Sequence, residues 1–114
     1  MCLVNLVDEI YLTRKEILSV SDYFFHMTPY SDRIEINKLT NKSCQSSERY
    51  IFLNSHDIIT IGRDKKCSIF CNDDKAFSRI HITIRFDKDL KLWKIKDGSL
   101  KHNSTNGTWY FFIF

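Results

Sequence analysis

Ile80, Ile82, Ile84 and Phe86 alternate with His81, Thr83, Arg85 and Asp87. Only an extended backbone places every second side chain on one face. The stretch therefore predicts a strand with one face in a core and the other in solvent. Trp93 and Ile95 alternate with Lys94 and Lys96 in the same way. Further short β-rich runs contain Ile34 and Ile36, Tyr50 to Leu53, Ile59 and Ile61, and Ile69 to Cys71. Turn-prone stretches at 40–47, 54–57, 72–75, 87–89 and 98–107 divide them. Short strands at such spacing predict an all-β fold, an antiparallel sandwich or barrel. No strand–helix–strand alternation is present to build a parallel sheet.

The first 30 residues read differently. Thr13-Arg14-Lys15-Glu16 has the form of a capping box and predicts a short helix over 14–25. Ile17, Val20 and Phe24 would share one side of it, and Pro29 would help end it. An extended or poorly ordered segment, or an added strand, is the alternative. The expected organisation is an N-terminal extension over 1–32 and a sandwich domain over 33–114.

Charge is unevenly shared between these parts. The net charge is +3, but residues 1–32 carry two bases against five acids, a net of −3, so residues 33–114 carry +6. The basic part suits an anionic partner. No apolar run approaches the roughly 20 residues that span a bilayer. The start, Met1 to Asp8, lacks the basic region of a secretory signal, so an intracellular location, cytoplasmic or nuclear, is expected. The cysteines are Cys2, Cys44, Cys67 and Cys71. No second pair stands at zinc-site spacing beside Cys67 and Cys71, so buried or half-buried free thiols are expected, with no metal and no cofactor.

Three signals fall in order within the basic part. Gly62-Arg63 follows a strand, and the arginine's planar fork can hold two phosphate oxygens at a rim. Ser78 precedes the next strand, where its hydroxyl and backbone amide can both donate to a phosphate, and Arg79 adds charge beside it. His81 is expected to tie down the turn that presents Ser78. Ser104-Thr105-Asn106-Gly107-Thr108 is a turn into an aromatic run, with an Asn-Gly pair that tolerates positive φ. Thr105 would reach the phosphate, and Asn106 would hydrogen-bond the backbone of a bound peptide.

The ordered set Gly-Arg, Ser-x-x-His and Asn-Gly, with strands between, resembles the forkhead-associated (FHA) domain over residues 33–112. Cys67-Ser68-Ile69, Asp73-Asp74, Trp93 to Asp97 and the string Ser-Thr-Asn-Gly-Thr-Trp add to the resemblance. It implies a β-sandwich whose loops recognise phosphothreonine in a partner protein. Arg63, Ser78, Arg79 and Thr105 would bind the phosphate, Asn106 would hold the peptide, and Gly62, His81 and Gly107 would shape the loops. Choice of the flanking peptide residue would lie in loops 64–67, 72–77 and 98–104.

The sequence departs from that pattern twice. Gly98 to Asn103 lengthens the loop before Ser104, either extending the peptide-binding rim or lying as tolerated surface. The resemblance also implies a hairpin after the Asn-Gly-Thr turn, its last strand closing the sandwich beside the first, whereas this sequence runs only to Phe114. Three explanations stay open: a fragment, an open sheet edge covered by a partner or second copy, or an N-terminal segment filling the gap. For the last, Leu6 to Leu12 resembles the missing final strand and would neighbour 33–39.

Other functions weigh less. A structural or dimerisation domain with a lost site is the first alternative. Binding of nucleic acid would use Tyr50, Phe52, Phe86, Trp93 and Trp109 for stacking, but most of these occupy inward positions. Ser78, His81 and Asp97 are hydrolase residue types, yet no nucleophile elbow or carboxylate pair accompanies them, so no enzyme is expected. The expected partner is a phosphothreonine-containing protein or peptide, with no membrane or nucleic acid.

Overall fold

The structure, a computed structural model, describes residues 2–40, 48–71 and 75–112. The turn at 41–47 with Cys44, and the Asp73-Asp74 pair within loop 72–77, lie outside the described residues. Eleven strands are present among the described residues: β1 (Cys2–Asn5), β2 (Glu9–Leu12), β3 (Glu16–Val20), β4 (Tyr23–Pro29), β5 (Arg33–Thr40), β6 (Glu48–Leu53), β7 (Ile59–Gly62), β8 (Ile69–Phe70), β9 (Ile82–Asp87), β10 (Leu92–Asp97) and β11 (Trp109–Phe112).

They form two sheets, one in the order β1-β11-β3-β4-β5-β6 and one in the order β2-β10-β9-β7-β8. Every pairing is antiparallel except β7 with β8. The inward faces supply one core: Leu18, Val20, Phe25, Met27, Ile34 and Ile36 from the first sheet, Leu12, Ile59, Ile61, Ile84, Trp93 and Ile95 from the second. The Trp93 indole N–H donates to the Tyr30 carbonyl at 2.8 Å, pinning one sheet to the turn that links β4 and β5. The all-β sandwich read from the alternation is what the chain forms. No helix of the described residues is long and apolar enough to cross a membrane.

The helix expected over 14–25 is not there. β3 and β4 occupy that stretch and meet in a two-residue hairpin at Ser21-Asp22, with Val20 opposite Tyr23 and Ser21 at φ 54°. Leu18 and Val20, then Phe25 and Met27, are buried at a spacing of two. The segment is rich in β-branched and aromatic residues, and a sheet buries them against both neighbours, which outweighs a four-residue helix-start signal.

The N-terminal segment does enter the sandwich, but not where Leu6 to Leu12 was expected. β4, not residues 6–12, lies beside β5, with Met27 opposite Ile36. β2 pairs instead with β10 in the other sheet, Ile10 opposite Ile95. β3 fills the space between β4 and β11, and β1 covers the outer side of β11.

Candidate functional site

β7 ends at Gly62, and the chain then turns along the segment that carries Ser78. The Arg63 N–H donates to the Ser78 carbonyl at 3.0 Å and the Asp64 N–H to the Arg79 carbonyl at 3.1 Å. The Cys67 thiol contacts the same Arg79 carbonyl at 3.2 Å. Gly62 permits this approach: a Cβ on it would lie 2.2 Å from the Arg79 oxygen. The need is for space between two backbones rather than for a sharp turn. Cys67 and Cys71 are buried and neither is in a disulfide, and burial raises the Cys67 pKa.

His81 is fully buried beneath this junction. The Ser78 N–H donates to its Nδ1 at 2.9 Å, so Nδ1 is the bare nitrogen. Nε2 then carries the proton and donates to the Gly107 carbonyl at 2.8 Å. One imidazole thus joins the turn bearing Ser78 to the turn bearing Asn106. Burial lowers its pKa, opposed by the bond to Gly107 and by the Asp97 charge, which favours this neutral tautomer. Phe77 packs edge-on against the ring, with centroids 5.3 Å apart.

Asp97 builds the third loop. Its carboxylate accepts from the Ser104 N–H at 3.1 Å, the Ser104 hydroxyl at 2.6 Å and the Thr108 hydroxyl at 2.7 Å. The Ser104 oxygen in turn accepts from the Gly107 N–H at 2.9 Å. Gly107 has φ +85°, the left-handed conformation that the Asn-Gly pair predicts. The framework role of Asp97 and Ser104 went unread in the sequence, although Asp97 follows Trp93 and Ile95 at the same inward spacing. An acid in a core register demands buried donors around it.

On this framework the loops converge. The Thr105 N–H donates to the Ser78 hydroxyl oxygen at 2.9 Å, and the two hydroxyls lie 3.5 Å apart. Asn106 turns its amide to the Ala76 carbonyl at 3.1 Å. Arg63, Arg79, Thr105 and Asn106 are exposed and Ser78 is half-buried. The Arg63 and Arg79 guanidinium groups have no hydrogen-bond or ion-pair partner among the described residues. Ser78, Arg79 and Thr105 border a shallow depression of about 230 Å³, walled on its far side by Ser99, His102 and Asn103. Arg63 and Asn106 are not part of that lining. The Ser78 N–H, expected to donate to a phosphate, is committed to His81, so Ser78 offers only its hydroxyl to the surface. What this end of the sandwich presents is two exposed arginines with the Ser78 and Thr105 hydroxyls, and no acid lines the depression.

One expected placement changes. The strand begins at Ile82, not Ile80, and Ile80 is 36% exposed. The backbone from 78 to 81 is spent on bonds to β7, its following loop and Gly98, so it cannot run on as regular ladder. Of the aromatics considered for base stacking, Trp93 is buried and Tyr50, Phe52 and Phe86 pack against the core, while Trp109 is 38% exposed. No group of three or more metal-ligating side chains occurs among the described residues.

A model of the FHA domain family matches residues 59–110, from β7 into β11. No curated protein matches the chain, and no solved structure does.

Proposed function

We propose, on the premise that residues 59–110 match the FHA family and that the two-sheet sandwich is consistent with it, that this chain is a phosphothreonine-dependent protein-binding module. The observation that carries the proposal is the convergence of three loops. Arg63 is bonded through its backbone to Ser78, Ser78 is bonded to Thr105, and His81 locks the Ser78 turn to Gly107. Arg63, Ser78, Arg79 and Thr105 are the phosphate-binding set, and Asn106 holds the peptide backbone. Gly62, His81 and Gly107 keep the loops in place.

The physical case rests on charge. A phosphothreonine brings close to two negative charges and three acceptor oxygens. Each charge-assisted hydrogen bond is worth about 1.5–3 kcal/mol, so two or three separate it widely from plain threonine. Ordering an extended peptide offsets much of that gain, which leaves a reversible complex of roughly micromolar affinity. The chemistry asked of the site is recognition. Ser78 Oγ accepts from Thr105, and His81 meets Ser78 at its backbone N–H, so the imidazole is not placed to take the hydroxyl proton.

The test is Arg63→Ala against a phosphothreonine peptide library. Binding should fall at least tenfold while the thermal midpoint stays put, because the guanidinium supports no other described group. A well-folded wild-type protein that ignores every phosphopeptide overturns the proposal.

A further inference from the structure

The two sheets end in four edge strands, β1 and β6 in one and β2 and β8 in the other. β1 and β2 have four residues each and β8 has two, which are the short edges that resist pairing with a further chain. β6 has six and pairs only with β5 among the described residues. The gap expected after the Asn-Gly-Thr turn is filled by β1 and β3, so β6 is a separate edge at the other side of that sheet.

β6 reads Glu48-Arg49-Tyr50-Ile51-Phe52-Leu53, with neither lysine nor proline to blunt it. Its two charges are already spent inside the sheet. Glu48 lies 3.4 Å from the Lys38 ammonium, and Arg49 is bonded to Glu35. The remaining four residues are aromatic or aliphatic. Tyr50 and Phe52 pack against the core and stack on each other, with centroids 6.3 Å apart. Ile51 and Leu53 alternate with them and face outward, 51% and 55% exposed. A long apolar edge of this kind is a template for another strand.

The strand is complementary to itself. Opposed residues of paired strands share a face, so a two-fold antiparallel pairing of β6 must centre on a residue. Centred on Ile51, it sets Ile51 against the partner's Ile51, Tyr50 against the partner's Phe52 and Arg49 against the partner's Leu53. No like charges oppose each other, and two aromatic pairs form on the inner face. Parallel pairing in register would instead set Arg49 against the partner's Arg49 and Glu48 against the partner's Glu48, which is unfavourable. We infer that β6 is a homodimer interface, where a second copy of this chain adds antiparallel across Ile51 and joins the two six-stranded sheets into one. The contact uses the same edge on both copies, so assembly stops at two. It stands without the phosphothreonine reading. Strand direction reverses across it, so the loop ends of the two copies point apart.

Sedimentation velocity of the full chain without peptide, from micromolar to near-millimolar concentration, should show a reversible monomer–dimer equilibrium. Ile51→Lys sets a charge against its own copy and should weaken the dimer at least tenfold, with the circular dichroism of the monomer unchanged. Leu3→Lys, at an exposed position of the edge strand β1, should leave the dimer as it is. Mild oxidation reads the register. Directly opposed residues bring their Cβ atoms within about 5.5 Å, so Ile51→Cys should give a covalent dimer well above the wild-type background. Leu53→Cys, which faces the partner's Arg49, should not. The cross-link also decides the matter if Ile51→Lys fails to fold. A chain that stays monomeric throughout, association that continues past two, a dimer that folded Ile51→Lys keeps or that Leu3→Lys loses equally, or equal cross-linking by the two cysteine variants overturns the interface.

Discussion

At the loop end of the sandwich the outer side chains and the inner ones do different work. Arg63, Arg79, Thr105 and Asn106 face water, and the two arginines have no partner among the described residues. His81, Asp97 and Thr108 are buried and bonded to specific groups. The outer set can be changed with little effect on folding, because water replaces what is lost. The inner set cannot, because each deletion strands a buried donor or acceptor. A motif that looks uniform in sequence is thus an exposed layer, the proposed contact layer, laid over a positioning layer, and only experiments that move one without the other can separate them.

The sharpest break is at Gly62. Gly62→Ala drives a Cβ into the Arg79 carbonyl, a backbone atom that cannot step aside alone. It should cost about 3 kcal/mol in denaturant unfolding and lose peptide binding with it, since both loops move. An alanine variant as stable as wild type would show that the approach of the two backbones is not required.

His81→Ala comes next. It leaves the Ser78 N–H and the Gly107 carbonyl without their shared partner, at a cost of about 2 kcal/mol. Binding should fall although His81 touches no ligand, whereas Arg63→Ala lowers binding alone. Measuring stability and affinity on both variants places each residue in its layer. If His81→Ala kept full affinity, the positioning layer would not govern the contact layer.

The smallest effect is on pH. Burial holds the His81 pKa below its ordinary 6.5 in the folded state, so the unfolded chain takes up a proton first as pH falls. The neutral imidazole contributes fully above pH 6.5, and that contribution is lost as pH drops through the lower folded value. Glu35 and Asp87 also have lowered values, through Arg49 and the Leu90 N–H as the first causes, but carboxylates act at more acid pH. Urea midpoints of the free protein between pH 7 and 5 should therefore decline in wild type and be flatter in His81→Gln. Equal slopes would remove His81 from the account. Binding is the poorer readout here, because the phosphate itself gains a proton near pH 6.

Much of this was legible in sequence because it depends on local pattern. The alternation in β10, the glycine with positive φ after Asn106, and the order of the three loops all follow from residue types a few positions apart. In β9 the solvent face expected at His81 and Thr83 is buried as well, because His81 bonds Gly107 and the Thr83 hydroxyl donates to the Gly98 carbonyl. What stayed hidden depends on neighbours distant in sequence. Glu16 to Thr28 forms strands only because β5 and β11 are there to pair with. Gly62 reads as a turn glycine until Arg79 is seen against it. Ile80 reads as core until β9 is seen to start two residues later. Asp97 could have been flagged from its inward position, but its three donors come from a loop that no periodicity describes.

The register between β1 and β11 has a topological consequence. Cys2 stands opposite Phe112 in an antiparallel pair, so the two ends of the described chain meet like the arms of a hairpin. At the other junction β4 runs directly into β5 and lies beside it. The strand after the Asn-Gly-Thr turn therefore has a neighbour on each side, β1 and β3, and both come from the first 20 residues. The family match stops at residue 110, while the sheet continues through strands from the other end of the sequence.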